Sequence, residues 1–242
     1  MWTKAIPSLL TISNLIIGVV SLLLASRGFA SDAALLVVIG MALDGLDGRA
    51  ARYFKAESEF GKELDSLSDI ITFGVAPSVI MYNVVLQYEG WVGMAVAVLF
   101  PLAGALRLAR FNIQKTSTKY FIGLPITAAG GILATMALYR NLLSPAAVIL
   151  PVGMLILSVL MVSQVRYPNF KKIAFPRSAI VVVPILAVLV YIVFRFEQDS
   201  ARRLIFVPLA LYALYGMGRA VRKKARRNPD GESQKVFKSS IK

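Results

Sequence analysis

Residues 43–70, "LDGLDGRAARYFKAESEFGKELDSLSDI", place four aspartates, Asp44, Asp47, Asp65 and Asp69, between two apolar stretches. "AALLVVIG" (33–40) leads into the segment and "ITFGVAPSVIMY" (71–82) leads out of it. Carboxylates in such a frame are costly unless positive charge accompanies them, so the fold has to be one that brings that charge in.

The frame is a membrane. Of 242 residues, 57% are hydrophobic and the mean hydropathy is +0.68. A hydrocarbon layer roughly 30 Å thick needs about 20 helical residues to cross, and apolar runs near that length recur along the chain. Hydropathy places about eight helices near 6–25, 30–54, 60–86, 91–109, 121–139, 145–163, 178–194 and 203–218, an all-α integral membrane protein. The first run follows Lys4 but is too long for a signal-peptide core and has seven more spans behind it, so it reads as a retained helix. All but five of the 27 lysines and arginines then fall on the side of the N-terminus, the exceptions being Arg27, Arg140, Arg195, Arg202 and Arg203. Most of the net charge of +14 is therefore topology, with both termini cytoplasmic, and it does not point to nucleic acid. The tail from Arg219 also suits anionic headgroups. The chain has no cysteine and no histidine, which removes disulfides, thiolate and imidazole ligands and Cys or Ser-His nucleophiles.

Helical spacing groups the aspartates. Asp44 lies about 14 residues, or some 21 Å, along the second helix from its outer end. Asp44, Asp47, Gly48, Ala51 and Arg52 share an arc of about 140° at 100° per residue. Gly61, Asp65 and Asp69 stack at i, i+4 and i+8 on the third helix. An antiparallel hairpin points four carboxylates into one space at its cytoplasmic end. An intramembrane aspartate costs about 2.5–3.5 kcal/mol on the insertion scale, and four repel one another, so a divalent ion with oxygen ligands, Mg²⁺ or Mn²⁺, is the natural compensation. The simpler alternative is ion pairing with Arg49, Arg52, Lys55 and Lys62, for which Glu57, Glu59 and Glu63 compete. An EF-hand is excluded by spacing, because the second acid stands at i+3 and position twelve is Lys55. Gly48, Ala51 and Gly61 leave room beside the acids, and the Arg52 fork suits a phosphate. Together they describe a site for a pyrophosphate-bearing substrate at the membrane surface.

Asp44-x2-Asp47-Gly48-x2-Ala51-Arg52-x8-Gly61-x3-Asp65-x3-Asp69 resembles, position for position, the signature of the CDP-alcohol phosphotransferases. "IPSLLTISNLIIG" (6–18, within the first helix), "DSLSDIITFGVAPS", "LRLARFN" (106–112) and "FIGLPITAA" (121–129) are similar to the membrane-integral phosphatidylserine synthases of bacteria and archaea. The resemblance covers roughly residues 5–130. Ser8 departs from it, since the family more often has Asn there. It implies a six-helix core, here followed by a helix pair and a basic tail (1–163, 164–218 and 219–242). It also implies a homodimer in a prokaryotic cell membrane and transfer of the phosphatidyl group of CDP-diacylglycerol to an alcohol with release of CMP, the alcohol being L-serine. On this resemblance Asp44, Asp47, Asp65 and Asp69 are metal ligands for two ions, and Asp69 is also the general base. Gly48, Ala51, Arg52 and Gly61 line the CDP pocket, with Asn14 reaching it from the first helix. No His or Cys is available as a covalent nucleophile, which favours direct displacement.

Serine is a zwitterion and needs a partner for its carboxylate. Arg107 and Arg110, at i and i+3 on the fourth helix, are the candidates, and both also suit topological anchors. A phosphorylated acceptor such as glycerol phosphate or inositol phosphate would use the same arginines, and choline is a further alternative. A divalent-cation transporter would place acids near the midplane in related halves; here the embedded acids crowd one end of one hairpin.

Overall fold

Runs long enough to cross a bilayer become the long helices of the computed structural model, which describes residues 6–113, 120–143 and 145–168. The expected helices at 178–194 and 203–218 and the basic tail lie outside the described residues. Among those described, six helices follow in chain order: α1 (Ile6–Ser26), α2 (Ala30–Tyr53), α3 (Glu59–Val84), α4 (Gly90–Ile113), α5 (Ile126–Leu138) and α6 (Ala146–Val162). Three of these segments are long and apolar enough to cross a membrane: Pro7–Ser26, Glu59–Val84 and Leu86–Ile113. α2 is as long, but Asp44, Asp47, Arg49 and Arg52 lower its hydropathy, while α5 and α6 are shorter, at 13 and 17 residues.

The described residues are helical as expected, apart from one pair of three-residue strands. Tyr120–Ile122 (β1) and Arg166–Pro168 (β2) pair antiparallel, Phe121 opposite Tyr167. The fifth helix accordingly starts at Ile126 instead of residue 121. Gly123 has φ +81, and Pro125 is held at ψ 138, outside the helical region, so the helix begins only after it.

Lipid-facing side chains are apolar along whole helices. Leu9, Ile16 and Leu23 on α1, Val98, Leu102 and Leu106 on α4 and Val152, Ile156 and Val159 on α6 are all exposed. In water such stripes would be a liability; hydrocarbon covers them without cost. The interior closes around Phe73, Phe100, Ile80, Met81, Leu124, Ile126, Leu133 and Met154, all fully buried.

Two prolines explain the geometry of the middle of the bundle. Pro77 has no N–H to donate and its ring excludes a regular α-turn behind it. Ahead of it, Ile70–Val75 forms a π-helical turn, with the Ala76 N–H reaching the Ile71 carbonyl. Such turns absorb an interrupted ladder inside a helix. Pro101 in α4 likewise leaves the Ala97 carbonyl without its helical donor, and the Ser78 hydroxyl of α3 donates to that carbonyl. The bond satisfies a buried acceptor and ties α3 to α4. At the end of the bundle away from the aspartates, Ser21 donates to the Ala33 carbonyl at 2.8 Å and Asn83 to the Ala25 carbonyl at 2.8 Å, fixing the α1–α2 turn against α3.

α5 packs on the π-turn through a glycine. A Cβ at Gly130 would stand 2.3 Å from the Phe73 carbonyl oxygen and 2.8 Å from its Cα, both backbone atoms. Gly130→Ala is therefore expected to destabilise the protein by about 1–3 kcal/mol through overpacking. Detergent thermal unfolding measures this, and an unchanged midpoint would show that α5 slides freely on the turn.

Candidate active site

The hairpin that carries the aspartates is closed by local chemistry. α2 ends with Lys55 at φ +49, the Ala56 N–H bonding to the Ala51 carbonyl at 2.9 Å and the Lys55 N–H to the Arg52 carbonyl at 3.3 Å. This is the left-handed stop that usually takes glycine. Ser58 then caps α3, its Oγ accepting the Gly61 N–H at 3.0 Å from an extended backbone. The two helices leave this loop antiparallel, as the sequence spacing required.

Asp44, Asp47 and Asp65 each present a carboxylate oxygen within 4.8 Å of the others. Asp69, 7% exposed, completes the group from the next turn of α3 and stands within hydrogen-bonding reach of the Asp44 side chain. Its Oδ1 is buried with no hydrogen-bond partner among the described residues. Four carboxylates this close repel unless a cation enters, and an orphaned buried oxygen points to a missing partner. The donors are all hard oxygens, so the residues fit Mg²⁺ or Mn²⁺.

Two threonines missed by the sequence reading hold this group. Thr11 of α1, itself buried, donates to Asp47 Oδ2 at 2.9 Å, and Thr127 of α5 donates to Asp44 Oδ2 at 3.3 Å. Around them, Ser68 donates to the Thr11 carbonyl at 3.2 Å and Thr72 to the Asn14 carbonyl at 3.0 Å, stitching α3 to α1. Asn14 is fully buried beneath the cluster. Its Oδ1 faces Gly40, where a Cβ would come within 2.8 Å, and neither of its side-chain polar atoms has a partner among the described residues.

The surface of the hairpin beside the acids is open. A Cβ at Gly45 would meet nothing within 4 Å, at Gly48 only Arg52 Nη1 at 3.6 Å, and at Gly61 only Ser58 Oγ at 3.1 Å. Ala51 is half-buried and Arg52 is exposed at the rim.

The two arginines of α4 part company. Arg107 is buried, its charge acting on Asp69 and its guanidinium 5.4 Å from the Phe111 ring centroid. Arg110 instead turns to the end of α6, donating to the carbonyls of Val162 at 3.0 Å, Met161 at 3.2 Å and Ser163 at 3.4 Å. Asn112 donates to Ser66 Oγ at 3.0 Å and ties the end of α4 to the aspartate face of α3.

A family model described as CDP-alcohol phosphatidyltransferase matches residues 4–165. The chain belongs to this family. Among its relatives is the CDP-diacylglycerol–serine O-phosphatidyltransferase of Helicobacter pylori. It is 42% identical over 217 residues, covering 87% of this chain and 89% of the relative. The Bacillus subtilis protein of the same name is 40% identical over 167 residues, 69% of this chain and 92% of its own. The archaetidylserine synthase of Methanothermobacter thermautotrophicus is 37% identical over 169 residues, 68% and 70% of the two chains.

Proposed function

We propose that the protein transfers the phosphatidyl group of CDP-diacylglycerol to the hydroxyl of L-serine, giving phosphatidylserine and CMP. The observation that carries this reading is the cluster of Asp44, Asp47 and Asp65 with Asp69 directly behind it. The names of relatives up to 42% identical over nearly the whole chain support serine as the acceptor.

In this mechanism Asp44, Asp47, Asp65 and Asp69 hold two Mg²⁺ or Mn²⁺ ions. Ions bound there neutralise the pyrophosphate oxygens and the charge that develops on departing CMP. The nucleotide lies along Gly48, Ala51 and Gly61, with the Arg52 fork on a phosphate, while Asn14 is enclosed below the acids, away from that surface. Asp69 accepts the proton of the serine hydroxyl while that oxygen attacks the phosphorus bearing diacylglycerol. The bond from that phosphorus to the bridging oxygen breaks, and CMP leaves with the electron pair. Of the two α4 arginines, Arg107 is the better clamp for the serine carboxylate, since it stands beside the base, whereas Arg110 is committed to three carbonyls of α6.

The same reading gives the chain eight spans, a core of residues 1–163, a helix pair within 164–218 and a tail from 219. Both termini and the aspartates lie on the cytoplasmic face of a prokaryotic cell membrane. The distribution of Lys and Arg supports the sidedness, and the family resemblance supports a homodimer.

The test is CMP release by purified protein given CDP-diacylglycerol, Mn²⁺ or Mg²⁺, and serine, glycerol 3-phosphate, inositol phosphate or choline in turn. Release that requires both serine and metal is expected. Release with another alcohol alone would keep the metal site and overturn the acceptor; release with none, in folded protein, would favour cation transport.

A further inference from the structure

Thr127 stands outside the aspartate signature and outside the hairpin, yet its hydroxyl reaches the first of the four acids across 83 residues of chain. Three separate features put it there. The residue before it, Ile126, is fully buried, with its Cδ1 seated between two glycines. A Cβ at Gly74 of α3 would lie 3.5 Å from that atom, and one at Gly104 of α4 only 2.4 Å. A side chain at Gly104 would press on Ile126, the residue next to Thr127.

The loop ahead of α5 is fastened to the end of α6. Gly123 donates to the Val165 carbonyl at 2.8 Å and Leu124 to the Leu160 carbonyl at 3.0 Å. Gly123 is held at φ +81, and a Cβ there would stand 2.2 Å from the Met161 carbonyl oxygen and 3.0 Å from Arg110 Nη2. Arg110 locks the same end of α6 through its three carbonyl contacts. The first turn of α5 is thus rigid on both sides of Thr127. It also turns the positive end of a 13-residue helix toward the acids, which its unpaired N–H groups favour.

We propose that Thr127 is a positioning residue of the metal centre. Its hydroxyl fixes the rotation of the Asp44 carboxylate, and Arg110, through the end of α6 and the Gly123–Pro125 loop, fixes Thr127. A ligating carboxylate held by an outer hydrogen bond presents its oxygens in one orientation, and loss of such partners costs metal affinity about 10–100-fold. This rests on the metal reading of the four aspartates. It adds that the site draws on α5 and α6 as well as on the α2–α3 hairpin.

Binding of Mn²⁺ is read directly, without turnover, from the loss of the free-ion signal in electron paramagnetic resonance of the purified full chain. T127V keeps the shape of the side chain and removes the donor; it is expected to weaken Mn²⁺ binding by roughly tenfold, while T127S stays within about twofold of the parent protein. Should T127V not fold, Thr127→Ala is read in its place. Wild-type affinity in a folded T127V or Thr127→Ala protein overturns the proposal, as does a T127S protein as weak as T127V. Asp44→Asn is the companion control. If it too binds Mn²⁺ like the parent, the metal reading has failed; if it loses binding while T127V does not, only the role of Thr127 has.

Discussion

Asp69→Asn yields a protein that folds but has lost at least about a hundredfold in the rate of CMP release, the scale of a missing general base. The exchange keeps the size of a buried side chain, so nothing in the packing opposes it. The amide cannot take a proton from the serine hydroxyl, and its neutral oxygen is a poorer metal ligand. The effect on stability has the opposite sign. Asp44 and Asp65 both repel the Asp69 charge, so in metal-free buffer the variant is expected to unfold at a higher temperature than the parent. Added Mn²⁺ should then raise its midpoint less than it raises the parent's. A gain in metal-free stability with a loss of turnover marks a group kept for chemistry at a structural cost. Single-turnover CMP release and thermal unfolding measure the two halves. A variant that retained more than a tenth of the parent rate would move the base elsewhere in the cluster.

The hairpin was legible because its signal is local. Asp44 and Asp47, or Asp65 and Asp69, fall on one helical face by spacing alone, and the loop between the two sets is short enough to make the helices antiparallel. Hydropathy located the six described helices for the same reason, since each is set largely by its own composition, and three of them are long and apolar enough to cross a membrane. α5 is the exception, five residues late, because Gly123 and Pro125 set its start through backbone conformation that a hydropathy average does not register.

What stayed hidden depends on contacts between distant segments. Thr11 and Thr127 are common residues with no periodic pattern, and only the packing of α1 and α5 onto α2 makes them partners of Asp47 and Asp44. Around Gly74 and Pro77 the third helix carries a π-turn ahead of the proline, with Gly74 packed against Pro101 and Ile126. That turn begins at the residue after Asp69, so the break in the helical ladder lies directly behind the group assigned as base. Asn14, placed in the nucleotide pocket by resemblance, is enclosed below the acids, and only the tertiary structure reveals its depth.

Arg107 and Arg110 were indistinguishable in sequence, and their different surroundings predict different kinetic signatures. Arg107→Lys keeps the positive charge near Asp69 but removes the planar fork that holds a carboxylate through two parallel bonds. A charged hydrogen bond of about 1.5–3 kcal/mol corresponds to a rise of roughly 10–100-fold in KM for serine, with KM for CDP-diacylglycerol little changed. Arg110→Lys loses contacts to the Met161, Val162 and Ser163 carbonyls instead. It should lower the unfolding temperature and weaken Mn²⁺ binding through Thr127, with KM for serine near the parent value. Serine titrations at saturating donor, run beside thermal unfolding of both variants, separate the two. If Arg107→Lys leaves KM for serine unchanged, Arg107 serves Asp69 alone, and the carboxylate clamp has to be sought on another element. If Arg110→Lys is the variant that raises it, the strut at the end of α6 gives way when substrate binds, and the rigidity argued for the first turn of α5 does not survive in the working enzyme.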